Sequence, residues 1–235
     1  MARSGSINFN MNRDELIKQS LKACGALTEN QTPSAAQMKD AANALNMIIK
    51  EWQTDGLQLW LIQAITVTLT AAKASYTIGA GGDVNVDRPT KIYEAFIRDG
   101  TNDTPLTPVS RQEYWSLGDK TQTGTPNSFY YEPQLDLGVL YLYVVPDTNA
   151  ATKTIELKAH RQIQDMDAAT DSFDFPMEWF RALKFALAAD LGIDYATPER
   201  HMRRLEKYAA MAFDKVSGWD VEQASVSFMP ETRGR

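Results

Sequence analysis

The hydrophobic period of this chain changes twice, and that change restricts its fold more than any other feature. Apolar residues recur every three or four positions up to Trp52, alternate with polar ones between about Gln63 and Asp165, and return to helical spacing after Pro176. The first spacing belongs to an amphipathic helix and the second to a half-buried strand. A chain of this kind reads as α+β, with its strands gathered in the middle rather than interleaved with helices.

Local signals sharpen the outline. Asn12 and Glu15 form a capping pair ahead of a helix whose stripe is Ile17, Leu21 and Cys24, with Gly25 near its end. Thr32-Pro33 reads as the start of a second helix, striped by Met38, Ala41, Leu45, Ile48 and Trp52 and stopped by Asp55-Gly56. Strands are expected at Ile65–Leu69, Tyr76–Ile78, Lys91–Arg98, Phe129–Glu132, Val139–Val145 and Thr152–Arg161, with turns at 80–83, Asp99-Gly100 and Pro146-Asp147. Ser110 and Glu113 cap a short helix through Trp115, ahead of a polar loop over Lys120–Asn127. Phe180, Leu183, Leu187 and Leu191 stripe a third long helix, with Gly192 near its end. Thr197-Pro198 repeats the cap-then-proline start, and the last helix buries Met202, Leu205, Ala209, Ala212 and Val216.

A helix pair with one apolar stripe per helix cannot bury itself alone, so the two pairs are expected to face each other. The predicted organisation is a four-helix core from residues 1–62 and 166–216, an inserted antiparallel β domain over 63–165, and an extended arm over 217–235. Fully stretched, those last 19 residues reach roughly 60 Å.

Little here points to bond-making chemistry. One cysteine, Cys24, excludes an intramolecular disulfide and a thiolate metal cluster, and only His160 and His201 supply imidazole. No metal and no cofactor is expected. Cys24 sits on an apolar stripe and reads as a core residue. Glu113, Glu132, Asp165 and Asp167 are the acids in or beside the β block that a paired-carboxylate hydrolase would draw on. The alternative reading is that they are solvated loop acids. The 79–82 segment lacks the lysine and hydroxyl of a phosphate loop and reads as a turn. The N-terminus lacks the apolar run of a signal peptide, and no stretch is apolar enough to span a bilayer, so no membrane is expected. A lone free cysteine suits a reducing compartment.

Arg200, Arg203, Arg204 and Lys207 form the densest basic cluster. It reads either as a solvated face partly paired with Glu199 and Glu206, or as a docking surface for an acidic partner or a neighbouring copy. With 24 basic against 30 acidic residues and a net charge of -6, general electrostatic gripping of nucleic acid is disfavoured. Trp115, Phe129, Tyr130, Tyr131, Tyr141 and Tyr143 concentrate in the β block, as core, cross-strand pairs or interface.

The opening LIKQSLKACGALTENQTPSAAQMKDAANALNMIIKEWQTDGLQLW resembles the head-to-tail adaptors, or tail accessory factors, of short-tailed bacteriophages. A short helix ends near Gly25, a polar loop leads to Pro33, and a long helix closes in Glu51-Trp52-Gln53-Thr54-Asp55-Gly56. The segments YTIGAGGDVNVDRP, SRQEYWSLGDKTQTGTPNSFYYEP and LGVLYLYVVPD look like the inserted domain of larger adaptors. FPMEWFRALKFALAADLGIDYATP resembles their return to the helical core. The resemblance implies a structural, non-enzymatic virion protein at the head–tail junction, assembled in the host cytoplasm. It implies a homo-oligomeric ring of twelve copies beneath the portal protein, a platform for a tail nozzle or fibre, and double-stranded DNA passing through without sequence-specific binding. By the same likeness the last stretch becomes a portal-binding arm, with Phe228, Met229, Arg233 and Arg235 as its contacts. An acidic protein fits a channel wall that must not hold phosphates. The competing readings are a peptidoglycan-cleaving hydrolase associated with the virion and a monomeric binding module.

Overall fold

The structure, a computed structural model, describes residues 5, 9–54 and 59–220. It is mixed α+β. The helices are α1 (Arg13–Cys24), α2 (Ala35–Trp52), α3 (Arg111–Ser116), α4 (Phe180–Asp194) and α5 (Glu199–Ser217). The strands are β1 (Ile62–Thr68), β2 (Ser75–Ile78), β3 (Lys91–Asp99), β4 (Asn102–Pro105), β5 (Thr107–Pro108), β6 (Thr123–Gly124), β7 (Ser128–Pro133), β8 (Gly138–Tyr143), β9 (Val145–Pro146) and β10 (Thr154–His160). The chain divides into two compact units, one of Met1–Leu59 with Gln164–Arg235, the other of Trp60–Ile163.

In the first unit α4 touches α1, α2 and α5. Seven of its residues are buried, among them Leu183, Leu187 and Leu191. α1 starts on a reciprocal capping box: the Glu15 backbone N–H donates to Asn12 Oδ1 at 2.8 Å, and the Asn12 N–H donates to Glu15 Oε2 at 3.2 Å. Gly25 ends it in the left-handed region, at φ 85°. Ser20 is buried, yet its hydroxyl is satisfied, donating to Leu16 C=O at 2.9 Å and lying 3.1 Å from Lys184 C=O on α4. Trp52 anchors an aromatic knot, its ring centroid 5.0 Å from Phe213, 5.7 Å from Trp179 and 6.4 Å from Phe175.

Two helix starts differ from the sequence expectation. α2 is capped by Ser34, not Thr32, because Ser34 and Gln37 close a second reciprocal box while Pro33 precedes the cap. At α5 the N-cap position is Pro198, with no side-chain cap bond, and Thr197 turns its hydroxyl onto Cys24 C=O. Gly192 lies near the end of α4, as expected, two residues before Asp194. Met202 Sδ packs where a Cβ would stand, so the glycine serves the approach of α5.

The second unit is built from two four-stranded sheets, ordered β1-β10-β3-β4 and β2-β8-β7-β5, with a short parallel pair β6-β9. Ile65, Val67, Leu157 and Ile97 from one sheet and Tyr76, Leu140, Leu142 and Phe129 from the other share one core. The expected alternation is visible in β1, where Ile65 and Val67 are buried between exposed Ala64, Thr66 and Thr68. Pairing is antiparallel except for β5 with β7 and β6 with β9. Four strands escaped the sequence reading: β4, β5, β6 and β9. None exceeds four residues and none has a full alternating pattern. α3 does form on its expected box, with Ser110 N–H donating to Glu113 Oε2 at 2.7 Å.

Candidate functional site

Three of the four acids that a hydrolase would draw on hold their carboxylates in structural contacts, and of Asp167 only the backbone carbonyl is engaged. The Glu113 carboxylate caps α3, and those bonds from Ser110 hold its pKa below the usual carboxylate value. Glu132 lies 4.0 Å from Arg111. Asp165 pairs with Lys50 at 2.7 Å, and the Asp167 carbonyl accepts from Arg13 at 2.6 Å. Among the described residues no group of three or more His, Cys, Asp or Glu could hold a metal ion.

The cysteine and both histidines are likewise built into packing. Cys24 is buried on α1 and points its thiol at Leu21 C=O, 3.2 Å away; burial pushes the thiol pKa up, away from the reactive thiolate. His160 is buried at the end of β10, with Nδ1 2.8 Å from the Thr90 hydroxyl; burial, then Arg161 and Lys91, lowers its pKa. His201 opens α5 and places Nε2 2.7 Å from Ala23 C=O. A carbonyl only accepts, so Nε2 carries the proton. Together with Thr197 Oγ1, which donates to Cys24 C=O at 2.7 Å, it satisfies the orphan carbonyls of α1's last turn.

What remains unsatisfied is surface, and it centres on α5. The sequence reading gave this helix five buried residues; only Leu205 is buried, while Met202, Ala209, Ala212 and Val216 are half-covered. Beside that stripe lies a second apolar flank. Tyr208, Met211 and Trp219 are 46%, 56% and 85% exposed, and with Ala182 and Val216 they line a groove of about 740 Å³ against α4. These residues were missed because the reading stopped at one stripe. The signal was present in spacings of three to eight between apolar positions off that stripe.

On the opposite flank of α5 lies a recess of about 280 Å³, lined by Ile48, Trp52 and Ile193 and by the carboxylate-bearing Glu51, Asp190 and Glu206. Burial, then the neighbouring Asp194, raises the pKa of Asp190. Between the two flanks runs the basic face. A helix of 3.6 residues per turn places Arg200, Arg204 and Lys207 there, and all three are exposed. Arg203 pairs with Glu199 one turn back, whereas Arg200, Arg204 and Lys207 form no ion pair with another described residue. No protein-family model matches the chain, and no curated protein does. Phe228, Met229, Arg233 and Arg235 lie outside the described residues, as does the Asp55-Gly56 pair. No helix among the described residues is long and apolar enough to cross a membrane.

Proposed function

We propose that this protein is a structural head-to-tail adaptor of a bacteriophage virion, working by assembly and without enzymatic turnover. The observation that carries the reading is the surface of α5. One helix bears a basic outer face, an acid-rimmed recess on one flank and an apolar groove on the other. A head-to-tail contact joins two different patches of identical copies, and it closes into a ring when the rotation divides a full turn. In the proposed contact the recess of one copy meets the Arg200, Arg204 and Lys207 face of the next, two different patches matched by charge. The groove adds apolar area that a monomer gains nothing by leaving in water.

In this reading α1, α2, α4 and α5 form the four-helix core of a twelve-copy ring beneath the portal protein. The β unit offers the platform for a tail nozzle or fibre, and the expected arm over 217–235 serves contact with the portal. A net charge of -6 suits a channel wall past which DNA slides. The resemblance of the opening and return segments to adaptors supports the same role. The test is electron microscopy and mass determination of the full chain mixed with the portal of the same phage. A ring bound to portal is expected; a chain that stays monomeric and never joins portal refutes the adaptor.

A further inference from the structure

The sandwich of the second unit blunts three of its four sheet edges and leaves one open. An edge strand offers unpaired N–H and C=O groups, and natural sheets guard it with short strands, proline, charge or cover. β5 has two residues and ends at Pro108, and β4 carries Asp103 and Pro105. β2 has four residues and is met by a neighbouring turn, where Gly79 N–H donates to Val84 C=O at 3.1 Å and Val84 N–H donates to Thr77 C=O at 3.0 Å. Among the described residues of its own unit, β1 has none of these guards. Its seven residues contain neither proline nor a charged side chain, and its register with β10 is unbroken. On its other side no strand pairs with it among the described residues.

The phase of the ladder says which groups face outward. Arg161 N–H donates to Leu61 C=O at 3.0 Å, one step before the Ile62–His160 pair. In an antiparallel ladder hydrogen-bonded and non-bonded pairs alternate, so Gln63, Ile65 and Val67 bond to β10. Ile62, Ala64, Thr66 and Thr68 therefore aim their N–H and C=O groups away from the sheet.

We propose that β1 is a self-pairing edge, taken by β1 of a second copy of this chain in antiparallel register about a two-fold axis. The blunted edges decide the occupant: a sandwich of this sequence has one edge long and regular enough to pair, so two copies meet edge to edge only through the same strand. With Ile65 on the axis, Ala64 stands opposite Thr66 of the second copy and Ile62 opposite Thr68. Every outward N–H and C=O then has a complement. Ile65 and Val67 carry one core into the next, and the exposed Ala64, Thr66 and Thr68 bring small uncharged side chains together without repulsion. The inference goes beyond the adaptor reading and does not depend on it, because a two-fold contact joins a pair and cannot propagate a ring.

The test uses the full chain. Sedimentation across a wide concentration range should show a monomer–dimer equilibrium, and amide exchange at Ala64, Thr66 and Thr68 should slow as dimer accumulates. Ala64→Pro removes an outward donor while sparing the bonds to β10, and it should weaken dimerisation by ~10-fold or more. Thr68→Lys keeps every N–H and adds an edge charge; it should do the same, and it decides the matter if the proline variant misfolds. Arg204→Glu, which the adaptor reading expects to abolish rings, should leave the dimer intact. A wild type that stays monomeric throughout, both variants dimerising like wild type, or exchange at those amides indifferent to concentration overturns the proposal.

Discussion

Helices α4 and α5 lie against each other, yet they treat their apolar residues in opposite ways. α4 buries Phe180, Ala182, Leu183, Leu187, Ala188, Leu191 and Gly192, because neighbours reach it from several sides. α5, longer by four residues, buries only Leu205. The difference teaches that apolar periodicity reports which residues a helix can cover, whereas the number of packing partners settles which are covered. Among the described residues α5 keeps an apolar flank exposed, and Arg200, Arg204 and Lys207 form no ion pair.

The comparison breaks most sharply at the core of α4. Leu187→Ala should cost about 2–5 kcal/mol of unfolding free energy in a denaturant titration, since the side chain is wholly buried and its neighbours cannot fill the void. A loss below about 1 kcal/mol would mean α4 is less central than its burial indicates. Next is the joint that sets α5 on α1. Thr197→Val removes the hydroxyl bonded to Cys24 C=O and should cost about 1 kcal/mol, read as a lowered midpoint without change of slope. On the open flank, Met211→Ser should change stability by no more than about 0.5 kcal/mol while weakening self-association. Equal losses at Leu187 and Met211 would erase the distinction between the helices.

A pH experiment tests the burial of His160 in the β unit. The folded pKa of His160 is lowered below its ordinary value, chiefly by burial. Above that ordinary value, near 6.5, both folded and unfolded states hold it neutral. As pH falls through 6.5, the unfolded chain takes up a proton that the folded one resists, so stability declines until the folded pKa is reached. His160→Gln should flatten the stability difference between pH 7 and pH 5, whatever it costs overall. An unchanged slope would show that His160 titrates alike in both states.

Several elements were legible in the residues themselves. The boxes Asn12/Glu15 and Ser110/Glu113 needed no distant partner, since each closes bonds within one turn. The alternation of Ile65, Val67 and Leu69 marked a strand because its period matches the pleat. Thr32-Pro33 and Thr197-Pro198 misled for different reasons. Ser34 displaced Thr32 because its partner Gln37 was in place three residues on, and Thr197 was claimed by a carbonyl 173 residues away in sequence. The strands β4, β5, β6 and β9 could not be read, since segments of two to four residues owe their pairing to neighbours rather than to a period of their own.

The sequence by itself determined where helical and alternating periods begin and end, where the strongest caps fall, and that thiolate and imidazole clusters were excluded. These are properties of short range, set by one turn or one pleat, or simple counts of side chains. Only the tertiary structure decided which apolar faces found partners. It spent His201 and Thr197 on the end of α1 and, among the described residues, left α5 half-exposed and β1 unpaired on its outer side. Burial and edge pairing depend on residues distant in sequence, and local pattern carries no record of them.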